Sequence, residues 1–193
     1  MSAVTTLLQR LETAHRSHPE VMAYCPWPDD IRPGPARYHP HPVEPLLAAE
    51  TGLSGGPYSE LSEAIRAASP YAQWRETYKG TQLFDEIMHR FGCYEIVGVD
   101  GFAASQKMRG FMVYMPPGFH YPMHEHPADE LYLVLAGAAD FQVAGGAKHR
   151  VEPGGTVFHA CGQPHATTTT DQPVLCYVIW RDHFDTAPVW SAA

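Results

Sequence analysis

Apolar residues change their period about halfway along the chain. Val4, Leu7, Leu8, Leu11 and Ala14 recur at helical spacing and predict an amphipathic N-terminal helix. Helical spacing returns over 59–68. It is expected again after Ser69-Pro70, where serine at the N-cap and proline at the first helical position form a start signal. Leu83, Phe84, Ile87, Met88 and Phe91 then line one helical face, with His89 off it in solvent and Gly92 as the expected C-cap. Between these signals, residues 25–57 are rich in proline, from Pro26 to Pro57. Proline fixes φ and lacks the N–H donor, so an extended arm is expected there, with His39 and His41 as an exposed loop pair. From Tyr94 the pattern shifts to short strands: Tyr94–Val99, Gly110–Met115, Leu131–Leu135, Ala139–Val143, Thr156–Phe158 and Leu175–Trp180. Turns fall at Asp100-Gly101, Pro117-Gly118, Ala144 to Gly146 and Pro153 to Gly155.

Repeated short strands with Gly/Pro turns, preceded by helices, predict a mainly β fold with N-terminal helices, built on a jelly-roll β-barrel. We expect residues 1–93 to form a helical and proline-rich portion packed on a barrel of residues 94–193, the two making one structural domain. The chain of 193 residues is 45% hydrophobic, enough for a sizeable core. A net charge of −8 argues against nucleic acid and against an anionic membrane surface as partners. No apolar run approaches the roughly 20 residues needed to span a bilayer. Arg10 and Glu12 interrupt any signal-peptide core, so a cytoplasmic location is expected. Cys25, Cys93, Cys161 and Cys176 follow no framework spacing and read as reduced, buried thiols.

The candidate chemistry lies between Gly118 and Gly137. His124 and His126 are two apart and face one side of a strand, and Glu130 and Tyr132 form a second same-side pair if they lie on the next strand. A further histidine arrives in Gly162-Gln-Pro-His165. Imidazoles with one carboxylate suit a divalent transition metal such as zinc, iron or manganese, with positions left open for chemistry. The run Gly118, five residues, His124-Glu-His126, three residues, Glu130, six residues, Gly137 resembles the first cupin motif in every fixed position. Gly154, Gly162 and His165 resemble the second, with Ala160 at its usual proline and Thr169 at its usual asparagine. The first departure is expected to alter a hairpin and the second a partner of the site.

Tyr132 shares the face of Glu130, while Leu131 and Leu133 point the other way. A phenol near a divalent cation loses its proton more readily, so Tyr132 can act as a general base. Aromatic residues in the barrel half can hold an onium cation by cation–π attraction. The segment Tyr121-Pro-Met-His124-Glu-His126-Pro-Ala-Asp-Glu130-Leu-Tyr132 to Gly137, with His165 and Trp180, resembles the bacterial dimethylsulfoniopropionate lyases of the cupin superfamily, most of all the short Q-type and next the L-type. That resemblance implies cleavage of a small zwitterionic sulfonium to dimethyl sulfide and acrylate. It implies His126, Glu130 and His165 as metal ligands, Tyr132 as ligand and base, and Tyr121 and His124 as catalytic pocket residues. His124 is a possible fourth ligand, Tyr121 the other candidate base, and Tyr121 and Trp180 the candidate cage for the cation. Two other readings use the same residues: an iron cupin dioxygenase, and a cupin that binds a small ligand without catalysis. The chain is expected as a monomer or homodimer.

Overall fold

The computed structural model describes residues 1–81 and 84–191. The N-terminal stripe folds as helix α1, Ala3–Ser17, which buries Leu7, Leu11 and Ala14; Ser2 caps it by accepting the Thr5 N–H. Helix α2, Pro19–Tyr24, follows with proline at its start. The proline-rich arm then runs through a short strand β1, Arg32–Pro33, but it also contains a helix, α3, Glu44–Ala49, started by Pro45 in its first turn. His39 is exposed, as expected of a loop pair, whereas His41 is buried and stacked on Trp74 with ring centroids 5.7 Å apart. The flanking prolines therefore leave His41 free to turn inward. Helix α4, Ser59–Ala68, packs on α1 through Leu61, Ala64 and Ile65.

The helix expected after Ser69-Pro70 is a single 3-10 turn, Ser69–Tyr71. The Ser69 hydroxyl donates back to the Arg66 carbonyl at 2.8 Å, so it closes α4 instead of opening a new helix. Helix α5, Phe84–Met88, buries Ile87, and Phe91 packs beyond its end while His89 stays exposed; Leu83 of the expected face lies outside the described residues. Gly92 is no C-cap. It opens strand β2, Gly92–Val97, where a Cβ would meet Val43 and Trp74 at 2.7 and 2.9 Å.

The remaining strands are β3 (Ala103–Ala104), β4 (Arg109–Met115), β5 (His120–Glu125), β6 (Glu130–Gly137), β7 (Ala139–Val143), β8 (His149–Val151), β9 (Thr156–His159), β10 (His165–Thr168), β11 (Val174–Trp180) and β12 (Val189–Trp190). Among the described residues they form two sheets, in the orders β1-β3-β2-β4-β11-β6-β9 and β12-β5-β10-β7-β8. This is the cupin arrangement, two facing sheets of mostly antiparallel strands. The larger sheet is buried on both faces. Leu131, Leu133, Leu175, Tyr177 and Ile179 meet the helices, while Tyr132, Val134, Cys176 and Val178 face the interior between the sheets. That explains why β4, β6 and β11 read as near-continuous apolar runs rather than as simple alternation. Gly137, the last motif glycine, has φ +70°, and a Cβ there would lie 1.8 Å from the Pro173 carbonyl oxygen. It lets β6 end tightly against β11.

Candidate metal centre

The site forms where the sheets face each other. His126 follows the end of β5, Glu130 opens β6 and His165 opens β10. All three are buried. One ligand atom from each lies within 4.8 Å of the others, a group able to hold a metal ion. The Nδ1–H of His126 donates to the Ala128 carbonyl at 2.9 Å, and that of His165 to the Gln163 carbonyl at 2.8 Å. Each bond fixes the tautomer, so each Nε2 carries a lone pair toward the centre. Glu130 Oε2 is 3.3 Å from His126 Nε2 and 3.2 Å from His165 Nε2. These distances allow charge attraction, but none of the three atoms has a hydrogen-bond partner among the described residues. The three atoms cluster at one place. Unsatisfied buried polar atoms are costly, and a cation at that point would satisfy all three. Without a cation at the centre, burial alone would raise the Glu130 carboxyl, and positive charge and N–H donation from protonated His126 and His165 outweigh it and hold it well below the usual carboxylate range; a bound metal ion would take the place of those protons.

His124 sits beside this group rather than in it. Its Nδ1–H donates to the Pro122 carbonyl at 2.8 Å, its ring lies 4.1 Å from that of His165, and burial first and His165 second hold it well below the usual imidazole value. His124, His126, Glu130, Tyr121, Tyr132 and Trp180 all line one cavity, so the residues expected from the sequence converge with His165 next to them. Burial pushes the Tyr132 phenol well above 10, and Glu130 adds to it. Burial does the same to Tyr121, which also shares a 2.5 Å hydrogen bond with the Tyr78 hydroxyl. Trp180 has its ring against the His126 ring, with centroids 4.6 Å apart, and its indole N–H donates to Glu130 Oε1 at 2.7 Å.

Two expectations about the rim of the site are corrected. Thr169 is no partner of the centre: its hydroxyl donates to the Pro116 carbonyl at 2.6 Å and accepts the Phe119 N–H at 2.9 Å, tying β10 to the turn before β5. Cys161 is exposed, not buried, because it lies in the turn before β10; Cys25, Cys93 and Cys176 are buried, and all four are free thiols. The structure also adds residues. His159 is fully buried, stacks on His165 at 3.9 Å with the rings 10° apart, and has neither nitrogen hydrogen-bonded among the described residues. Burial, then His165, takes it down to about 3. Nothing in the sequence of β9 announces it, because Phe158, which is exposed, is the residue there that its apolar character would bury. Tyr78 stacks on Trp190 at 3.7 Å beside Tyr121, and the Arg75 guanidinium lines the cavity over Phe111. Nothing local in the sequence announces those three.

Two facing sheets with a buried His/Glu/His group that could hold a metal ion, beside an aromatic, tyrosine-lined cavity, define a cupin with a candidate metal site. The chain belongs to the dimethylsulfoniopropionate lyase family, whose model matches residues 35–176. It is 39% identical to the dimethylsulfoniopropionate lyase DddQ of Ruegeria pomeroyi over 97% of this chain and 93% of that protein. The crystal structure of DddQ from that organism superposes with a TM-score of 0.94, covering 98% of this chain and 96% of the other at 39% identity. A chain solved among the DMSP lyases RdDddP and RnDddQII gives a TM-score of 0.92 at 34% identity, covering 98% of both.

Proposed function

We propose that this chain cleaves dimethylsulfoniopropionate by β-elimination to dimethyl sulfide and acrylate. The observation that carries the reading is the unsatisfied trio His126 Nε2, Glu130 Oε2 and His165 Nε2, set in a cavity walled by phenols and indole. The mixed N/O donor set fits zinc, iron or manganese. Bound there, such an ion would supply a Lewis acid that accepts the substrate carboxylate and acidifies the adjacent C–H.

The protein's own groups do the rest. Tyr132 takes the proton from the carbon next to the carboxylate. The electron pair forms the C=C bond, the C–S bond breaks, and sulfur leaves as the neutral thioether. No general acid is needed for that departure. Without a cation, burial and Glu130 keep the Tyr132 phenol protonated; a positive charge held in the site would lower it and let the phenolate serve as base. Tyr121, held by Tyr78, and the faces of Trp180 and Phe111 would hold the sulfonium until it leaves. Tyr132 is favoured over Tyr121 as base because it shares the strand face of Glu130, while the Tyr121 hydroxyl is already engaged with Tyr78.

No described helix is long and apolar enough to cross a membrane. Four free thiols fit a reaction carried out in the reducing cytoplasm. Headspace gas analysis for dimethyl sulfide, with metal-stripped and metal-restored protein in air and in anaerobic buffer, tests the proposal. We expect gas and acrylate in equal amounts, only with metal and with no oxygen requirement. An absolute need for oxygen, with no acrylate, would replace the lyase by a dioxygenase.

A further inference from the structure

We infer that Trp180 is a positioning residue for the metal ligand Glu130, holding one carboxylate oxygen so that only the other is offered to the ion. This rests on the metal reading above and goes beyond the sulfonium-cage role of the ring. Trp180 and Glu130 are directly opposed partners on β11 and β6. Both side chains are buried, and the indole N–H donates to Oε1 at 2.7 Å. Oε2, by contrast, has no hydrogen-bond partner among the described residues and is the atom nearest His126 and His165. The two oxygens of one carboxylate therefore have different roles, and the indole decides which is which. A carboxylate with one oxygen already taken offers a single donor atom, which keeps room at the centre for the substrate carboxylate.

The ring is also fixed. It lies against His126 at 4.6 Å and meets Phe111 edge-on at 5.2 Å. One side chain thus forms a wall of the substrate cavity and sets the orientation of a ligand. Its two roles separate chemically: phenylalanine keeps an aromatic face and deletes the N–H, and leucine deletes both.

The test measures cobalt(II) affinity by chelator competition, the visible cobalt spectrum, and steady-state kinetics at saturating metal for the wild type, Trp180→Phe and Trp180→Leu. Removing the outer partner of a ligand typically weakens metal binding by 10–100-fold. We expect Trp180→Phe to lose at least about 10-fold in cobalt affinity and to shift the spectrum. Trp180→Leu should show the same affinity loss and a raised KM. Wild-type cobalt affinity and an unchanged spectrum in Trp180→Phe would overturn the inference. His126→Ala is the control for the site itself: if it too keeps wild-type affinity, the metal reading fails, not merely the role of Trp180. Should Trp180→Phe not fold, the wild-type protein labelled with 15N-tryptophan answers the same question. A Trp180 indole proton protected from exchange in the zinc-loaded form supports the contact, and rapid exchange there removes it.

Discussion

His15 and His165 are equally buried in the same protein, yet only His165 belongs to the candidate metal group. On the helical side of the larger sheet, the Nε2–H of His15 donates to the Cys25 carbonyl at 2.7 Å. Its Nδ1 then accepts from the Tyr177 hydroxyl at 3.0 Å, and burial takes the imidazole down to about 4. Both nitrogens are satisfied, so the ring acts as a polar pin between α1 and β11. On the interior side, His126 and His165 satisfy Nδ1 through a carbonyl and leave Nε2 free toward a shared point. Burial does not distinguish the two places. The difference is the convergence of unsatisfied atoms, which evolution tolerates where a ligand satisfies them.

The comparison breaks most visibly at the centre. Glu130→Ala or His126→Ala should lose most bound metal and all lyase activity, whereas His15→Gln should retain wild-type metal content. Elemental analysis per folded chain reads both. Equal metal loss in all three would show that fold damage, not ligand removal, is being measured.

Next in size is the base. Tyr132→Phe keeps the ring, which packs edge-on to Phe141 at 5.3 Å, and deletes only the hydroxyl. We expect metal-loaded protein with activity reduced by at least about 10²-fold, the usual scale for loss of a general base. Near-normal acrylate release from this variant would move the role to Tyr121.

The smallest effects belong to the structural histidine. His15 and His41 are both lowered to about 4, chiefly by burial. A base whose folded pKa lies below its unfolded value binds more protons in the unfolded chain. Stability therefore falls as pH drops from about 6.5 toward about 4, by up to about 1.4 kcal/mol per pH unit for each such histidine, and levels off below. His15→Gln should cost about 1–3 kcal/mol at neutral pH through its unpaired partners and should flatten this slope. Urea unfolding at several pH values checks both, and an unchanged slope would mean that His15 is not kept neutral by the fold.

The sequence by itself determined β6, with Glu130 and Tyr132 on one face, and the His124–His126 alternation at β5; it carries no strand signal for β10, which brings in His165. Strand period two places Glu130 and Tyr132 together and sends Leu131 and Leu133 away, a consequence of backbone geometry that needs no partner strand. Helical spacing gave α1 and α4 for the same reason. Local signals failed where a residue had two competing uses: Ser69 closes one helix instead of opening another, and Gly92 begins a strand because Val43 and Trp74 leave no room for a Cβ. Tertiary structure alone decided what each candidate ligand leans on. Trp180 meets Glu130 across 50 residues of sequence, His159 comes to stack on His165 through the β6–β9 pairing, and Tyr78 reaches Tyr121 and Trp190 from a loop. Those contacts depend on cross-strand register, which turn lengths and the burial of both sheet faces fix only once the whole chain has folded.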